Sequence, residues 1–233
     1  MTTSNVFASK GDVAYAELRA RILRGDLLPG SRLAQHDLAA QLGMSLTPLR
    51  EAIRRLSSEG LVDLDTHRDA RVAAMNATEA RQLFEVRLSL DPTAAELAAR
   101  RRTESDLTDL RRAAARLLPV TRARGEKALG AHRAFHRALY AASHNDVLVR
   151  LLDDLWDKGD RYRRLGLDLP PGDESRTRDH REHSELVELV AAGDAAGARD
   201  LMRAHIERSL AVSAITVLEH REHEQARRGT GAG

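Results

Sequence analysis

The chain has 233 residues, of which 42% are apolar and only 3% aromatic, so it is long enough for two modest domains. A core built from Leu, Ala, Val and Ile favours helices packed on helices over an aromatic-rich β-sandwich. Cysteine is absent, which excludes disulfides and thiolate metal sites, and the formal net charge of +2 does not by itself indicate a nucleic-acid partner.

The ends of the chain carry no targeting pattern. No basic stretch precedes an apolar run at the N-terminus, and no apolar run approaches the roughly 20 residues that span a bilayer. We therefore expect a cytoplasmic protein, with disordered tails over residues 1–10 and 225–233.

Three short helices are predicted at the start of the chain. The apolar spacing places them over residues 12–24, 35–42 and 46–58. Gly43 ends the second helix, and Ser45 is expected to cap the third.

A hairpin and then a long helical region follow. Residues 61–65 and 70–74 alternate with period two around a polar turn, which predicts a β-hairpin. Beyond Asn76 the pattern is helical throughout, with Pro92 expected to break or kink the first helix. The predicted helices cover residues 77–102, 104–118, 125–143, 146–165, 174–192 and 194–224. The expected fold is mainly α: a helix-turn-helix with a small β-hairpin wing over 11–75, followed by an all-α bundle of about six helices over 76–224.

The third helix has two distinct faces. Leu49, Ile53 and Leu56 share one face and should pack on the preceding helices. Thr47 and two arginines, Arg50 and Arg54, share the other. Arginine can fork onto a guanine edge and threonine can reach phosphate or a thymine methyl, so this face suits readout of the DNA major groove. A merely solvated helix face remains the alternative.

The N-terminal motifs resemble one family closely. Over residues 11–74 the chain contains P-G-S-R-L at 29–33, L-A-A-Q-L-G-M-S-L-T-P-L-R-E-A at 38–52 and E-G-L-V at 59–62. This order closely resembles the GntR family of transcription regulators. The resemblance implies a winged helix-turn-helix that binds a double-stranded, near-palindromic DNA operator as a homodimer. The residues expected to contact DNA are Ser45, Thr47, Arg50, Arg54, His36 and Arg68, with Arg55 able to serve a phosphate.

Three positions depart from the family pattern. Leu46 and His36 stand where family members often carry arginine, and Asp69 stands where a wing-tip glycine is common. Asp69 is expected to hold a different turn and to repel a nearby phosphate. These departures change the expected operator rather than the expected activity.

Four histidines form a second candidate site. His132 and His136 are four residues apart on one predicted helix, whereas His183 and His205 lie on later helices. Histidines from separate helices of a bundle can converge and bind a divalent metal through neutral imidazoles. The alternative is that they are exposed polar residues of charged helices.

The helical region resembles the FCD-type ligand-binding domain of the FadR branch over residues 77–222. The matching segments include F-E-V-R at 84–87, A-F-H-R-A-L at 134–139 and E-H at 182–183. In that type an Asp and three His often line a metal site that helps to hold a small carboxylate effector. The three His correspond to His136, His183 and His205, and His132 replaces the Asp. A four-histidine set suits Zn²⁺ or Ni²⁺.

Arginines near this region are candidates for the effector. Arg87 corresponds to a family arginine that can face the pocket, and we expect it to pair with the effector carboxylate. A structural ion pair with Glu85 or Asp91 is an equal alternative. The segment 161–164, Arg-Tyr-Arg-Arg, can also line the pocket, although a solvated face is the simpler interpretation.

The leading hypothesis is a nucleoid-associated, metabolite-responsive transcription regulator that represses its target genes and is not an enzyme. One rival is a metalloenzyme whose histidines activate water. Against it, the chain lacks the Glu-x-x-His pairs of carboxylate-bridged bundles, and Glu182 is expected to point away from the site. A second rival is a DNA-binding protein whose bundle only dimerises.

Overall fold

The computed structural model describes residues 9–65, 69–118, 125–167 and 173–230. The described structure divides into two units, with the boundary between Met75 and Asn76. The N-terminal unit contains, in order, α1 (Lys10–Arg24), α2 (Gln35–Gln41), α3 (Leu46–Ser58), β1 (Val62–Leu64) and β2 (Ala70–Val72).

The bounds of these first helices follow from local capping. Ser9 and Asp12 form a capping box, so α1 begins at Lys10, two residues before the predicted start at residue 12. Gly25 ends α1 in the left-handed conformation at φ 82°, which a residue with a Cβ adopts only at a cost. The third helix has the predicted bounds, and Ser45 is its N-terminal cap residue, although its side chain makes no capping hydrogen bond.

The N-terminal core joins the three helices to the hairpin. Leu18 of α1 and Leu49 and Leu56 of α3 are fully buried, and Val72 of β2 lies in the same cluster. The strands pair antiparallel with Val62 opposite Val72, and Arg32 adds an isolated bridge beside β2. The winged helix-turn-helix predicted from the sequence is confirmed.

The second unit is entirely helical over the described residues. Its helices are α4 (Ala77–Arg101), α5 (Glu104–Ala114), α6 (Gly125–Ala141), α7 (Asp146–Leu167), α8 (Asp173–Ala192), α9 (Ala195–Glu207) and α10 (Leu210–Thr230). They pack around a core that includes Phe135, Leu152, Leu186 and Met202.

Two features of these helices differ from the sequence prediction. The last predicted helix, 194–224, is two helices, α9 and α10, because the chain leaves helical geometry at Arg208 and Ser209. No glycine or proline marks this joint, so the pattern gave no signal for it. The described part of the bundle therefore has seven helices, and α10 continues to Thr230, so residues 225–230 are helical rather than disordered.

Pro92 does not break α4. The helix continues through it from Ala77 to Arg101, even though proline removes one backbone donor. A run of fully buried alanines follows Pro92, and their packing against the core outweighs the local cost: Ala94, Ala95, Ala98 and Ala99. Within the described residues, no helix has the length and apolar character needed to cross a membrane.

Candidate functional site

The outward face of α3 carries the side chains that the sequence singled out. Thr47 and Arg54 are exposed, while Arg50 is half-buried and donates from Nε to the Gln35 side chain of α2 at 3.3 Å. These three α3 residues and Gln35 line one cleft with residues at the end of β1. The glutamine thus holds the Arg50 side chain beside the cleft, with donors still available for a base edge.

The other predicted DNA contacts are distributed around this face. Ser45 and His36 are both exposed, at the starts of α3 and α2. Arg55 is engaged elsewhere: its guanidinium lies 3.7 Å from the centre of the Tyr15 ring and 3.4 Å from Asp12. Arg68 lies outside the described residues.

Asp69 pairs with arginines of its own unit, and its repulsion of a nearby phosphate stays a prediction. Its carboxylate accepts a hydrogen bond from Arg32 at 2.6 Å and lies 3.5 Å from Arg71. Its backbone N–H also donates to the Asp65 side chain, which closes the hairpin turn. Asp69 is therefore paired with cations at the base of the wing rather than isolated there.

The four histidines meet inside the second unit. His132 and His136 extend from α6, His183 from α8 and His205 from α9, and all four are buried. One nitrogen from each ring lies within 4.8 Å of the corresponding nitrogens of the others. We call this group the four-histidine cluster. Because all four rings are buried, the alternative that they are exposed polar residues is wrong.

A polar chain fixes the orientation of His136. Tyr140 Oη lies 2.8 Å from Asp91 Oδ2 and 3.2 Å from His136 Nδ1, and Trp156 donates to the same Oη at 3.3 Å. Burial, and then the Asp91 charge, raise the pKa of Tyr140 well above its usual value, so the phenol keeps its proton. The phenol donates that proton to Asp91 Oδ2, so in the tautomer that completes this chain Oη accepts from His136 Nδ1–H. In that tautomer the Nε2 of His136 carries no proton, and its lone pair is available to a metal.

The other three rings are held in similar ways. His205 Nδ1 donates to Glu182 Oε2 at 2.9 Å, and Arg208 holds that glutamate. His183 turns its Nδ1 side toward the Asp179 carboxylate, at 3.6 Å. His132 directs Nε2 toward the Asp179 carboxylate at 4.0 Å, and its buried Nδ1 has no hydrogen-bond partner.

The cluster has the character of a metal site. The Nε2 atoms of His136 and His183 lie 3.3 Å apart. One donates to the other if it carries its ring's proton, and a cation can lie between the two lone pairs if both protons are on Nδ1. Four nitrogens about 2.0–2.1 Å from a tetrahedral zinc ion stand about 3.3–3.4 Å apart. The orphaned Nδ1 of His132 is a further available ligand atom. The residues therefore fit a divalent metal, with partners on the far side of the rings that orient them.

Electrostatics keep three of the imidazoles in their neutral, ligating form. Burial lowers the pKa of His132, His136 and His183, and the neighbouring rings and Arg163 lower it further. Neutral imidazole is the form that binds metal, so these three rings need no loss of protons at neutral pH to become ligands.

The arginines near the cluster are buried rather than solvated. Arg87 forms an ion pair with Asp91, donating from Nε at 3.2 Å and Nη2 at 2.6 Å to the same oxygen, Oδ2, which is the structural alternative considered for it. Arg161, Tyr162 and Arg163 are also buried, so the solvated face expected for this segment is wrong. A helix turn that looks charged in sequence is here packed among other helices, where its cations need partners.

Several residues around the cluster escaped the sequence prediction. Tyr140 and Asp179 had no signal beyond their position near the histidines. Asp91 was considered only as an ion-pair partner of Arg87, and Glu182 was expected to point away from the site. Glu182 instead contacts His205, because α8 and α9 pack side by side and bring residue 182 to the neighbouring helix. A metal-binding histidine usually donates its second ring N–H to a nearby acceptor, and a search for such acceptors was the one general signal that could have led to these residues.

Comparison with known proteins decides the family. Residues 10–72 match the model of bacterial regulatory proteins of the gntR family, and residues 82–208 match the FCD domain. The chain belongs to the GntR family. This GntR regulator is 31% identical over 199 residues to the HTH-type transcriptional repressor GlaR of Escherichia coli K12, a match covering 82% of this chain and 90% of GlaR.

Other relatives agree with this assignment. The transcriptional regulator LutR of Bacillus subtilis is 30% identical over 205 residues, covering 79% of this chain and 92% of LutR. In fold alone, the chain is similar to the E. coli McbR/YncC structure, with a TM-score of 0.75 at 24% identity over 93% of this chain and 100% of that one. This GntR regulator is therefore a DNA-binding transcription regulator with an FCD domain, and not an enzyme.

Proposed function

We propose that this GntR regulator is a repressor whose operator affinity is controlled by a small carboxylate metabolite. The metabolite binds at a divalent metal, Zn²⁺ or Ni²⁺, held by His132, His136, His183 and His205. The observation that carries the proposal is the four-histidine cluster, in which one nitrogen of each ring lies within 4.8 Å of the others inside the FCD domain. The bound metal supplies a Lewis-acidic centre to which a carboxylate oxygen coordinates.

In this proposal the regulator binds its operator as a homodimer. Two copies of α3 would enter successive major grooves of a near-palindromic operator, about 34 Å apart. Thr47, Arg50 and Arg54 would contact base edges, while Ser45, His36 and Arg68 would contact the flanking backbone. The printed description of GlaR as a repressor supports the sign of regulation.

The reading face is tested with Arg50→Ala. Loss of one base-contacting arginine costs about 1–3 kcal/mol, so operator affinity should fall roughly tenfold to hundredfold. The measurement is fluorescence anisotropy on the DNA upstream of the regulator's own gene, at fixed salt. Arg24→Ala is the matched control, since it removes an equal charge from the end of α1, where Arg24 pairs with Asp26.

If Arg50→Ala and wild type bind the operator with equal affinity, the proposal that α3 contacts the DNA bases through Arg50 is wrong. An equal loss in Arg24→Ala and Arg50→Ala would show that only net charge matters, and would contradict sequence-specific contact by Arg50.

A further inference from the structure

The segment before α2 lies along the edge of β2 that is opposite β1. Three backbone hydrogen bonds with N···O distances of 2.7–2.9 Å join residues 30–33 to β2. Their register places Arg32 directly opposite Arg71 in an antiparallel bridge. Directly opposite residues of an antiparallel pair point to the same face, with their Cβ atoms about 4.5–5.5 Å apart. Arg32 and Arg71 are therefore neighbouring cations on the solvent face of the wing.

Asp69 supplies the anion that these two cations share. Its Oδ1 accepts a hydrogen bond from Arg32 Nε at 2.6 Å, and its Oδ2 lies 3.5 Å from Arg71 Nη2. Like charges directly opposite each other destabilise a sheet, and a carboxylate between them offsets that repulsion. We call Arg32, Asp69 and Arg71 the wing triad.

The wing triad is open to solvent. The side chains of Arg32 and Arg71 are 70% and 55% exposed, and that of Asp69 is 26% exposed. Ion pairs this exposed contribute little to stability, so another anion can replace the Asp69 carboxylate at small cost. A phosphate suits the place, because its oxygens accept the paired, charge-assisted hydrogen bonds of arginine. Arg71 would keep its second contact, a 3.3 Å hydrogen bond to the carbonyl of Gly30.

The wing triad also adjoins the DNA-reading face. The Asp69 N–H donates to the Asp65 side chain at 3.0 Å, and the Asp65 N–H donates to the Asp69 carbonyl at 3.1 Å. Asp65 in turn lines the cleft formed by Thr47, Arg50 and Arg54 of α3. Contacts to base edges and to phosphates occur together along a bound duplex. A duplex read by α3 therefore brings its phosphates close to the wing triad.

We propose that Arg32 and Arg71 form a DNA-phosphate site on the wing, and that Asp69 fills this site until DNA displaces its carboxylate. The assignment rests on the proposed function, since α3 brings the duplex to the wing. Each arginine–phosphate contact is offset by the loss of an arginine–carboxylate contact. Asp69 thus lowers the overall affinity for DNA without choosing the sequence, because phosphate contacts carry no base information.

The test measures binding of the full-length protein by fluorescence anisotropy, from roughly 50 to 200 mM salt. The probes are a labelled duplex from upstream of the regulator's own gene and a scrambled duplex of equal length. The variants are Asp69→Asn, Arg32→Gln/Arg71→Gln and the triple variant that combines them. Asn removes the charge at position 69 but keeps the turn preference of Asp. Asp26→Asn is the matched control, because it removes the same charge from an ion pair with Arg24.

Asp69→Asn should bind both duplexes more tightly than wild type, because no carboxylate competes with phosphate. One added phosphate contact steepens the slope of log affinity against log salt by about 0.9, so the gain should be about threefold larger at 50 mM than at 200 mM. Arg32→Gln/Arg71→Gln should bind both duplexes more weakly than wild type. In that background Asp69→Asn should add nothing, and Asp26→Asn should match wild type.

The triple variant separates competition at the wing triad from general repulsion. If Asp69→Asn strengthens DNA binding as much in the Arg32→Gln/Arg71→Gln background as in wild type, the phosphate site is wrong. A salt slope unchanged by Asp69→Asn would also overturn it, as would an equal gain in Asp26→Asn.

The two duplexes keep this inference distinct from the proposed function. If wild type prefers the upstream duplex but Asp69→Asn binds both duplexes as wild type does, the inference fails and the proposed function stands. If wild type shows no preference for the upstream duplex, the proposed function is contradicted, and the scrambled duplex alone decides for or against the phosphate site.

Discussion

On α3 the polar side chains point outward, whereas in the FCD domain the most informative polar side chains point inward. Thr47 and Arg54 are exposed, and Arg50 has one long hydrogen bond to Gln35. In contrast, His136 and Asp91 are fully buried, and hydrogen bonds run from one to the other through Tyr140. A DNA-reading surface keeps its donors for its partner, while a buried site must orient its ligands before the partner arrives.

The comparison has an energetic consequence. Exposed arginines on α3 can be substituted with little effect on stability, because water forms hydrogen bonds with the polar groups that lose their arginine partner. Removing one member of the buried network leaves another buried polar group without a partner, which costs about 1–3 kcal/mol. Substitutions in the two regions should therefore separate cleanly: DNA affinity changes in the first, and metal affinity and stability change in the second.

The largest effect is expected from removing two ligands of the four-histidine cluster. His136→Ala/His183→Ala should lose its metal, since two of the four candidate ligands, whose Nε2 atoms lie 3.3 Å apart, are deleted. Metal at 100 times its Kd stabilises the wild type by about 2.7 kcal/mol. For a domain of this size that raises Tm by roughly 5–10 °C, and the variant should show no such rise.

The measurement is metal content after dialysis, together with thermal unfolding with and without added Zn²⁺ or Ni²⁺. His220→Ala/His223→Ala is the control, because it removes two exposed histidines from α10. If the double cluster variant keeps its metal, or if the α10 variant loses it, the metal site lies elsewhere.

A smaller effect is expected from Tyr140→Phe. The change deletes the hydroxyl that accepts from His136 Nδ1–H and donates to Asp91. Loss of a partner that orients a metal-binding histidine costs about tenfold to hundredfold in metal affinity, and we expect the lower end because three other ligands remain. Competition against a chelator of known affinity measures it.

Tyr162→Phe provides the comparison, since Tyr162 is also buried but donates to Glu79 instead. Metal affinity that is unchanged in Tyr140→Phe, or reduced equally in Tyr162→Phe, would show that the Tyr140 hydroxyl does not position His136.

Much of the architecture was accessible from the sequence. The bounds of α3 and the buried positions Leu49, Ile53 and Leu56 were predicted from apolar spacing, because one amphipathic face dominates a surface helix. The convergence of His136, His183 and His205 was predicted from resemblance to the FCD type. The spacing of the histidines alone did not decide between a metal site and exposed polar residues. Family resemblance supplied the three-dimensional information that periodicity lacks.

What the sequence did not supply depends on packing between helices. Pro92 lies inside an unbroken helix because the buried alanine face after it outweighs the missing backbone donor. Glu182 contacts His205 only because α8 and α9 are neighbours, and Arg163 is buried although its segment is rich in charge. Each of these outcomes is set by which helices pack together, and a single helix pattern does not encode that choice.

The central claim is that ligand binding in the FCD domain changes the affinity of the helix-turn-helix for DNA. The most direct test measures operator affinity of one metal-loaded preparation with and without the carboxylate that binds it best. A coupling of 1–3 kcal/mol is typical, so affinity should fall about fivefold or more, and operator DNA should weaken carboxylate binding by the same factor. Operator affinity that is identical with the four-histidine cluster empty, metal-loaded and carboxylate-saturated would contradict the account.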